Sequence, residues 1–531
     1  MEKIDTFNNQ NVLENKPIKQ KEVLQYDRVD YVFAFVLPVL GFLFIKLIVA
    51  AAVSGGHLGA GVTVFTICFV AAALVWFGKS GVRIRASAWI ALIPILLTGG
   101  YFAIYQNATL QALALPLLVV MGAYFTLSLG GRRVEAATGP YLLFDLYAAL
   151  LSIPLGYMGK MFAIHGDRLK KVKKSGSAMM LILGIILALP ISIYIGSLLR
   201  DADAAFEMIW LRFIEGLLSK DLIITIIQIL ISLPVGMYLY GLMFGSVRRQ
   251  GDAPIKAEDA AKRAGKVKIL PLYLVVGGLT PLLLVYLLFF FSQTAYFLSA
   301  FRGLLPEGMI YSEYARRGFF ELCDVSFINF LFASLLLFFT KKGGESTLSR
   351  IYGALLAAFS LALIAMSISK MLLYINIYGL TPLRLYTSWF MLFLFLLFVM
   401  TAVRLARPRF NLIKYCVYCG VAMFLILCYA DTDGMIAAYN VNGYRTGKLA
   451  QLDVGLLLDL GGGATPWLIE IMEDGHMEES YRRQAGAVLS YMIDQARQDI
   501  REGDWRSATV TGRASNRLLI EKEGLIWSSI R

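Results

Sequence analysis

The chain has 531 residues, of which 58% are hydrophobic and only 16% charged, and its mean hydropathy is +0.65. Soluble domains lie nearer half apolar and a quarter charged, so a soluble globular protein is excluded; the surplus is gathered in blocks of about 20 residues, the length that crosses ~30 Å of hydrocarbon. The net charge of +13 does not mark a nucleic-acid binder: residues 431–531 carry eleven Lys/Arg against fifteen Asp/Glu, a net of −4, so the remainder bears +17, largely in short loops between apolar blocks.

In chain order, residues 1–30 form a polar arm without the charged-then-apolar pattern of a signal peptide. Apolar blocks at 31–53, 60–77, 86–105, 108–129, 176–199, 221–244, 269–291, 325–340, 351–374, 385–403 and 412–430 are expected to span the membrane. Together they predict an all-α polytopic bundle over 31–430, with a small helical tail over 431–531. Loops 78–87, 130–138, 159–175, 245–268, 341–350 and 404–414 are rich in Lys and Arg, whereas 54–59 and 106–107 have none. Basic loops belong in the cytoplasm, which predicts a cytoplasmic N-terminus and an extracytoplasmic C-terminus in a cell membrane.

A twelfth block, 139–158, lies between two basic loops, and a full crossing would break that parity. It contains Asp145 and Pro154 and is barely long enough, so a re-entrant or interfacial segment is expected. Ser152-Ile-Pro-Leu-Gly156 does echo Ser232-Leu-Pro-Val-Gly236, a hint of an internal repeat that favours a crossing. The run Gly277-Gly-Leu-Thr-Pro281 is the best candidate for a broken helix; a kink with a Gly-lined packing face is the plainer alternative. Residues 201–220 and 301–324 are amphipathic and predict surface helices. In the tail, Leu449, Leu452, Leu456 and Leu460 mark one helix, ended by Gly461–Gly463, and Val488 to Ile500 mark another.

Three stretches are more elaborate than membrane loops require: Pro306–Leu322, Tyr374–Arg384 and Tyr439–Arg445. The topology puts all three on the outer face, where positive charge is disfavoured. Arg316, Arg317, Arg384 and Arg445 therefore need partners there: carboxylates such as Glu313, Glu321 and Asp453, lipid phosphates or a ligand anion. Tyr314, Tyr378, Thr381, Asn440 and Asn442 complete this candidate outer site. Inside the bilayer, Lys370 shares a helix face with Ser360, Ser367 and Tyr374, and Lys46 and Asp145 are the other candidate ionisable groups. Both lysines lie near span ends, where they can snorkel.

Five cysteines and three scattered histidines give neither a metal site nor a redox pair; Cys416 and Cys419 lack a second pair. No catalytic cluster, metal or cofactor is expected. The sequence SEYARRGFFEL at Ser312–Leu322, the turn Tyr378–Arg384 and the segment Asn440–Arg445 leading to Asp453 resemble the bacterial membrane families labelled domain of unknown function 4153 and 4173. The resemblance implies a polytopic membrane protein and no particular chemistry. Expected partners are the lipid bilayer, a membrane or extracytoplasmic protein, and an anionic ligand or lipid headgroup. A receptor or scaffold and a transporter or lipid-handling protein both fit these features, and an enzyme fits them less well.

Overall fold

The computed structural model describes residues 26–53, 57–171 except 83, 85 and 136, 220–248, 255–302, 319–341 and 346–530, with scattered positions between 184 and 210. The polar arm to residue 25, most of the expected span at 176–199 and surface helix at 201–220, and the stretch with Glu313, Tyr314, Arg316 and Arg317 lie outside the described residues. Among the described residues the fold is all-α, a polytopic transmembrane bundle with a helical tail and one isolated backbone bridge, Leu270 to Thr340.

Hydrocarbon offers no hydrogen bonds, so each apolar block must satisfy its backbone within itself as a helix. Ten helices among the described residues are long and apolar enough to cross: α1 (Arg28–Val53), α2 (Ala60–Lys79), α4 (Ala108–Leu129), α5 (Leu142–Gly166), α6 (Lys220–Arg248), α8 (Leu272–Arg302, apolar over Leu272–Ser292), α9 (Phe319–Phe339), α10 (Thr347–Tyr378), α11 (Pro382–Ala406) and α12 (Leu412–Tyr429). Between them lie α3 (Ala86–Ile104) and the polar α7 (Ala257–Val267). Side-chain caps start several of them: Asn107, Ser346, Thr381 and Asn411 each accept a first-turn amide. The tail comprises α13 (Thr432–Arg445), α14 (Val454–Asp459), α15 (Thr465–Glu473), α16 (Glu479–Glu502), α17 (Val510–Glu521) and α18 (Glu523–Ile530).

Two apolar cores result. The first joins α1 to α6 around Leu37, Trp76, Phe102, Phe125 and Tyr240. One close seam is between α1 and α6, where a Cβ on Gly41 would come within 2.7 Å of backbone atoms of Ser232 and Gly236. Glycine here lets two backbones touch, the packing that substitutes for hydrophobic drive inside lipid. The second core runs without interruption from α8–α11 into the tail, from Leu279 and Phe398 to Val441, Leu468 and Ile493.

Several expectations change. Helix α8 is unbroken through Gly277–Pro281, and both glycines face open space, so that run is neither an interruption nor a packing face. Of the two echoed motifs, Gly236 is jammed against Pro38 whereas Gly156 has nothing within 4 Å, so the likeness serves no common contact. Phe319–Asp324 belong to span α9, and residues 303–318 of the surface helix expected at 301–324 lie outside the described residues. Asp453 caps the shorter α14 by accepting from Leu456 at 3.0 Å, and Leu449 and Leu452 are buried loop residues ahead of it.

The block expected at 139–158 continues to Gly166 and so has a span's length. Its partners nevertheless change along its course. Ala148 and Ala149 cluster with Ala123 and Leu127 of α4, Tyr157 meets Phe244 of α6, and His165 meets Phe35 of α1. All three contacts lie toward the end where Arg248 of α6 pairs with Asp27 and Asp30 at the start of α1. Helix α5 therefore packs closely on α6 over Leu150–Met158 and also meets α4 and α1 near this end.

Candidate functional site at the junction of bundle and tail

The turn between α10 and α11 is the best-defined piece of polar construction. Helix α10 ends at Gly379, whose φ of +78° is left-handed and whose missing Cβ leaves room for the Asn440 side chain. Asn440, buried on α13, accepts from the Leu380 amide at 2.7 Å and donates to the Leu380 carbonyl at 2.8 Å. Thr381 then caps α11 and Pro382 opens it. Arg384 turns back to donate to the carbonyls of Tyr378 and Gly379, at 2.8 and 2.6 Å, with its guanidinium 4.1 Å from the Tyr374 ring centroid. A cation there suits the negative end of α10.

The remaining expected residues sort differently. Arg445 pairs with Glu470 and, at 2.9 Å, with Asp474 of the tail, not with Asp453. The Arg445 guanidinium and the His476 amide, the larger effect, hold the Asp474 carboxyl below the usual carboxylate range. Asn442 and Tyr378 are exposed. Carbonyls and a ring thus hold Arg384, and carboxylates of the tail pair with Arg445.

The intramembrane candidates do not form one set. Lys370 is buried on α10 within the field of Glu321 on α9. Ser367 on the same face reaches the Phe319 carbonyl at 3.4 Å. Deeper along the same two helices, Asn329 joins Tyr286 and Ser360 in a buried hydrogen-bond chain. Lys46, by contrast, is exposed and its carbonyl accepts from Arg506 of the tail at 2.9 Å. Asp145 lies far from both lysines, accepting from the Val134 amide at 2.8 Å beside Arg133. Lys46, Asp145 and Lys370 thus occupy three separate environments.

Sequence reasoning missed a second cluster. Asn107, at the cap of α4, donates to both carboxylate oxygens of Asp433, at 2.8 and 3.0 Å, and to the Tyr386 hydroxyl at 2.9 Å. Burial pushes the Asp433 carboxyl up to about 6; the Asn107 hydrogen bond pulls it down and Asp431 raises it. Asp431 adopts a left-handed φ of +44° and caps α13. Beside these lies a polar cavity of about 10 Å³ lined by Tyr101, Asn107, Asp433 and Thr511, a size that admits one water at most. The Tyr101 hydroxyl beside it is buried without a protein partner. The only sequence signal was the polar run flanking two apolar blocks, Gln106-Asn107 and Asp431-Thr-Asp433.

Further along the tail, the amides of Ala60 and Gly61 donate to the carbonyls of Ala508 and Arg506, at 3.0 and 2.9 Å. Thr511 donates to the Ile104 carbonyl at 2.9 Å. The tail is thus bonded backbone to backbone at the start of α2, to backbone groups of α1, α3 and the α10–α11 turn through side chains, and to the cap of α4 side chain to side chain. Among the described residues no group of three His, Cys, Asp or Glu side chains could hold a metal ion.

An all-helical membrane bundle with a tail locked to one end is the class that this geometry defines. A family model described as domain of unknown function (DUF4153) matches residues 92–471, and the chain belongs to that family. The match takes in the α10–α11 turn, Asn107, Asp433, Asn440 and Arg445, and it stops short of α16–α18. No curated protein and no solved structure matches the chain.

Proposed function

We propose that this integral membrane protein is a scaffold or receptor whose bundle presents a rigid outward tail to a protein partner. The observation that carries this reading is the hydrogen bonding of the tail to backbone groups at several separate helix ends. A locked tail loses little freedom when a partner docks, which favours recognition. Its outermost helices expose Tyr491, Ile500, Leu525 and Trp527, apolar groups of the kind that anchor interfaces.

The orientation follows from parity. Every helix end that touches the tail is one that the basic loops assign to the outside. Arg132 donates to the Gly245 carbonyl at 2.6 Å, so an even number of crossings separates them. Helix α6 and the expected span at 176–199 supply two, which leaves α5 lying along the inner surface. A reporter active only outside the cytoplasm, fused at Arg531, gives a signal on this reading. A cytoplasmic signal refutes it.

For the partner, a photocrosslinker placed at Tyr491 in the full chain captures a discrete membrane or extracytoplasmic protein, and Ile500→Asp abolishes that capture. Crosslinking only to lipid, or capture indifferent to Ile500→Asp, removes the scaffold reading. One observation favours a second reading, lipid handling: a mostly apolar, half-open cavity of about 370 Å³ beside the first core, lined by residues such as Phe69, Leu118 and Val235. For a transporter, Lys370→Met together with Asp145→Asn abolishes flux in proteoliposomes; unchanged flux excludes those residues from the path.

A further inference from the structure

Two cations share the mouth of an apolar groove on the first half of the bundle. The groove, about 640 Å³, runs between α1 and α2 and is walled by Val32, Val36, Val39 and Leu43 on one side and by Ala72 and Val75 on the other. Phe33 stacks on Trp76 at 4.5 Å and Phe44 meets Phe65 at 5.3 Å, so the helices are antiparallel. That register brings Arg28 and Lys79 to the same end of the groove, where both line it and both are exposed. Among the described residues neither makes an ion pair; the carboxylates nearest Arg28 in sequence, Asp27 and Asp30, are held by Arg248.

The dimensions suit one lipid. From residue 28 to residue 43 is about 22 Å at 1.5 Å per residue, enough to follow a chain through the ~15 Å of one leaflet's hydrocarbon. The walls carry no group that an alkyl chain would leave unsatisfied, since they are Val, Leu, Ala and Phe with Cys68 alone among them. The mouth offers a guanidinium fork, which matches phosphate oxygens, beside a mobile ammonium.

We propose that this groove binds an anionic phospholipid, with its phosphate held by Arg28 and Lys79 and one acyl chain lying between α1 and α2. Charge complementarity selects the occupant. A zwitterionic lipid brings its own ammonium to a mouth that already holds two cations, whereas an anionic headgroup gains from both. The site stands apart from the scaffold reading, because it lies at the opposite end of α1 and α2 from the tail and before the stretch that the family model matches.

The full chain, purified in a non-ionic detergent, is titrated with phosphatidylglycerol and phosphatidylcholine of identical acyl chains, and retained lipid is counted by native mass spectrometry. The wild type retains one phosphatidylglycerol saturably, with a preference on the order of tenfold. Arg28→Gln combined with Lys79→Gln lowers phosphatidylglycerol binding to the phosphatidylcholine level and leaves the latter unchanged. Val36→Trp, which fills the groove and keeps both charges, removes the retained lipid as well, and it decides the question if the charge variant fails to fold. Equal retention of the two lipids by the wild type overturns the proposal, as does a preference that survives both variants. A lipid-free dimer with the groove covered by a second copy overturns it too.

Discussion

Replacing Asn440 by Ala strips Leu380 of both its backbone partners at once. The Leu380 amide and carbonyl are bonded at 2.7 and 2.8 Å, and Leu380 and Asn440 are both buried. An unsatisfied buried backbone group costs about 1–3 kcal/mol. Two of them, with some relaxation toward water, give about 2–4 kcal/mol. At about 1.4 kcal/mol per factor of ten, local opening of the α10–α11 turn rises by roughly 30- to 700-fold. Hydrogen exchange on the full chain in detergent reads this directly at Gly379–Thr381 and along α13. Asn440→Asp is expected to be worse still, because a carboxylate accepts from the amide but has nothing to donate to the carbonyl. Asn442→Ala, two residues away and exposed, is the control and stays within about 0.5 kcal/mol of wild type. Equal protection in Asn440→Ala and Asn442→Ala would refute the idea that this contact locks the tail.

Gly379→Ala adds a Cβ that meets the Asn440 side chain at a positive φ with extended ψ, which only glycine adopts freely, and a loss of tail docking of about 1–3 kcal/mol from the backbone alone is expected, measured by the same exchange. Asp433 gives a pH signature. Its folded carboxyl titrates near 6 against about 3.9 unfolded, so the folded junction binds the extra proton and is most stable below about pH 4. Protection of the first turn of α13, corrected for intrinsic rates, therefore falls as pH rises from about 4 to 6, and Asp433→Asn flattens the profile. Gly41→Leu forces α1 from α6 and should lower the thermal midpoint of the whole bundle, by far more than Gly277→Leu, whose site is open. Arg445→Met, which leaves Glu470 and the mostly buried Asp474 without their cation, is expected to cost about 1–3 kcal/mol in chemical denaturation of the tail.

The crossing helices could be read from the residues because the bilayer imposes a local demand. Any segment that enters hydrocarbon needs about 20 apolar residues in a row, whatever its neighbours. That demand also explains why ends were misjudged: α9 already includes Phe319–Asp324 and α10 reaches Tyr378, since polar turns at span ends can be carried by neighbouring chain. The value of the Tyr378–Arg384 turn was partly visible too, because Gly379, Thr381 and Pro382 are the residue types that end one helix and start another.

Pairing was left to the tertiary structure. Asn107 meets Asp433 and Asn440 meets Leu380 across long stretches of chain, and nothing in the local pattern of either member names the other. Gly41 and Gly236 look no different in sequence from Gly277 and Gly278, yet only the first pair lies where two backbones touch. A helix period says which side of a segment is apolar, while the fold decides what that side meets. The sequence alone thus determined a basic, many-spanning membrane chain with a polar tail. Only the packed structure decided that the tail is locked to the bundle, that α5 packs on α6, α4 and α1, and that Arg28 and Lys79 share one groove.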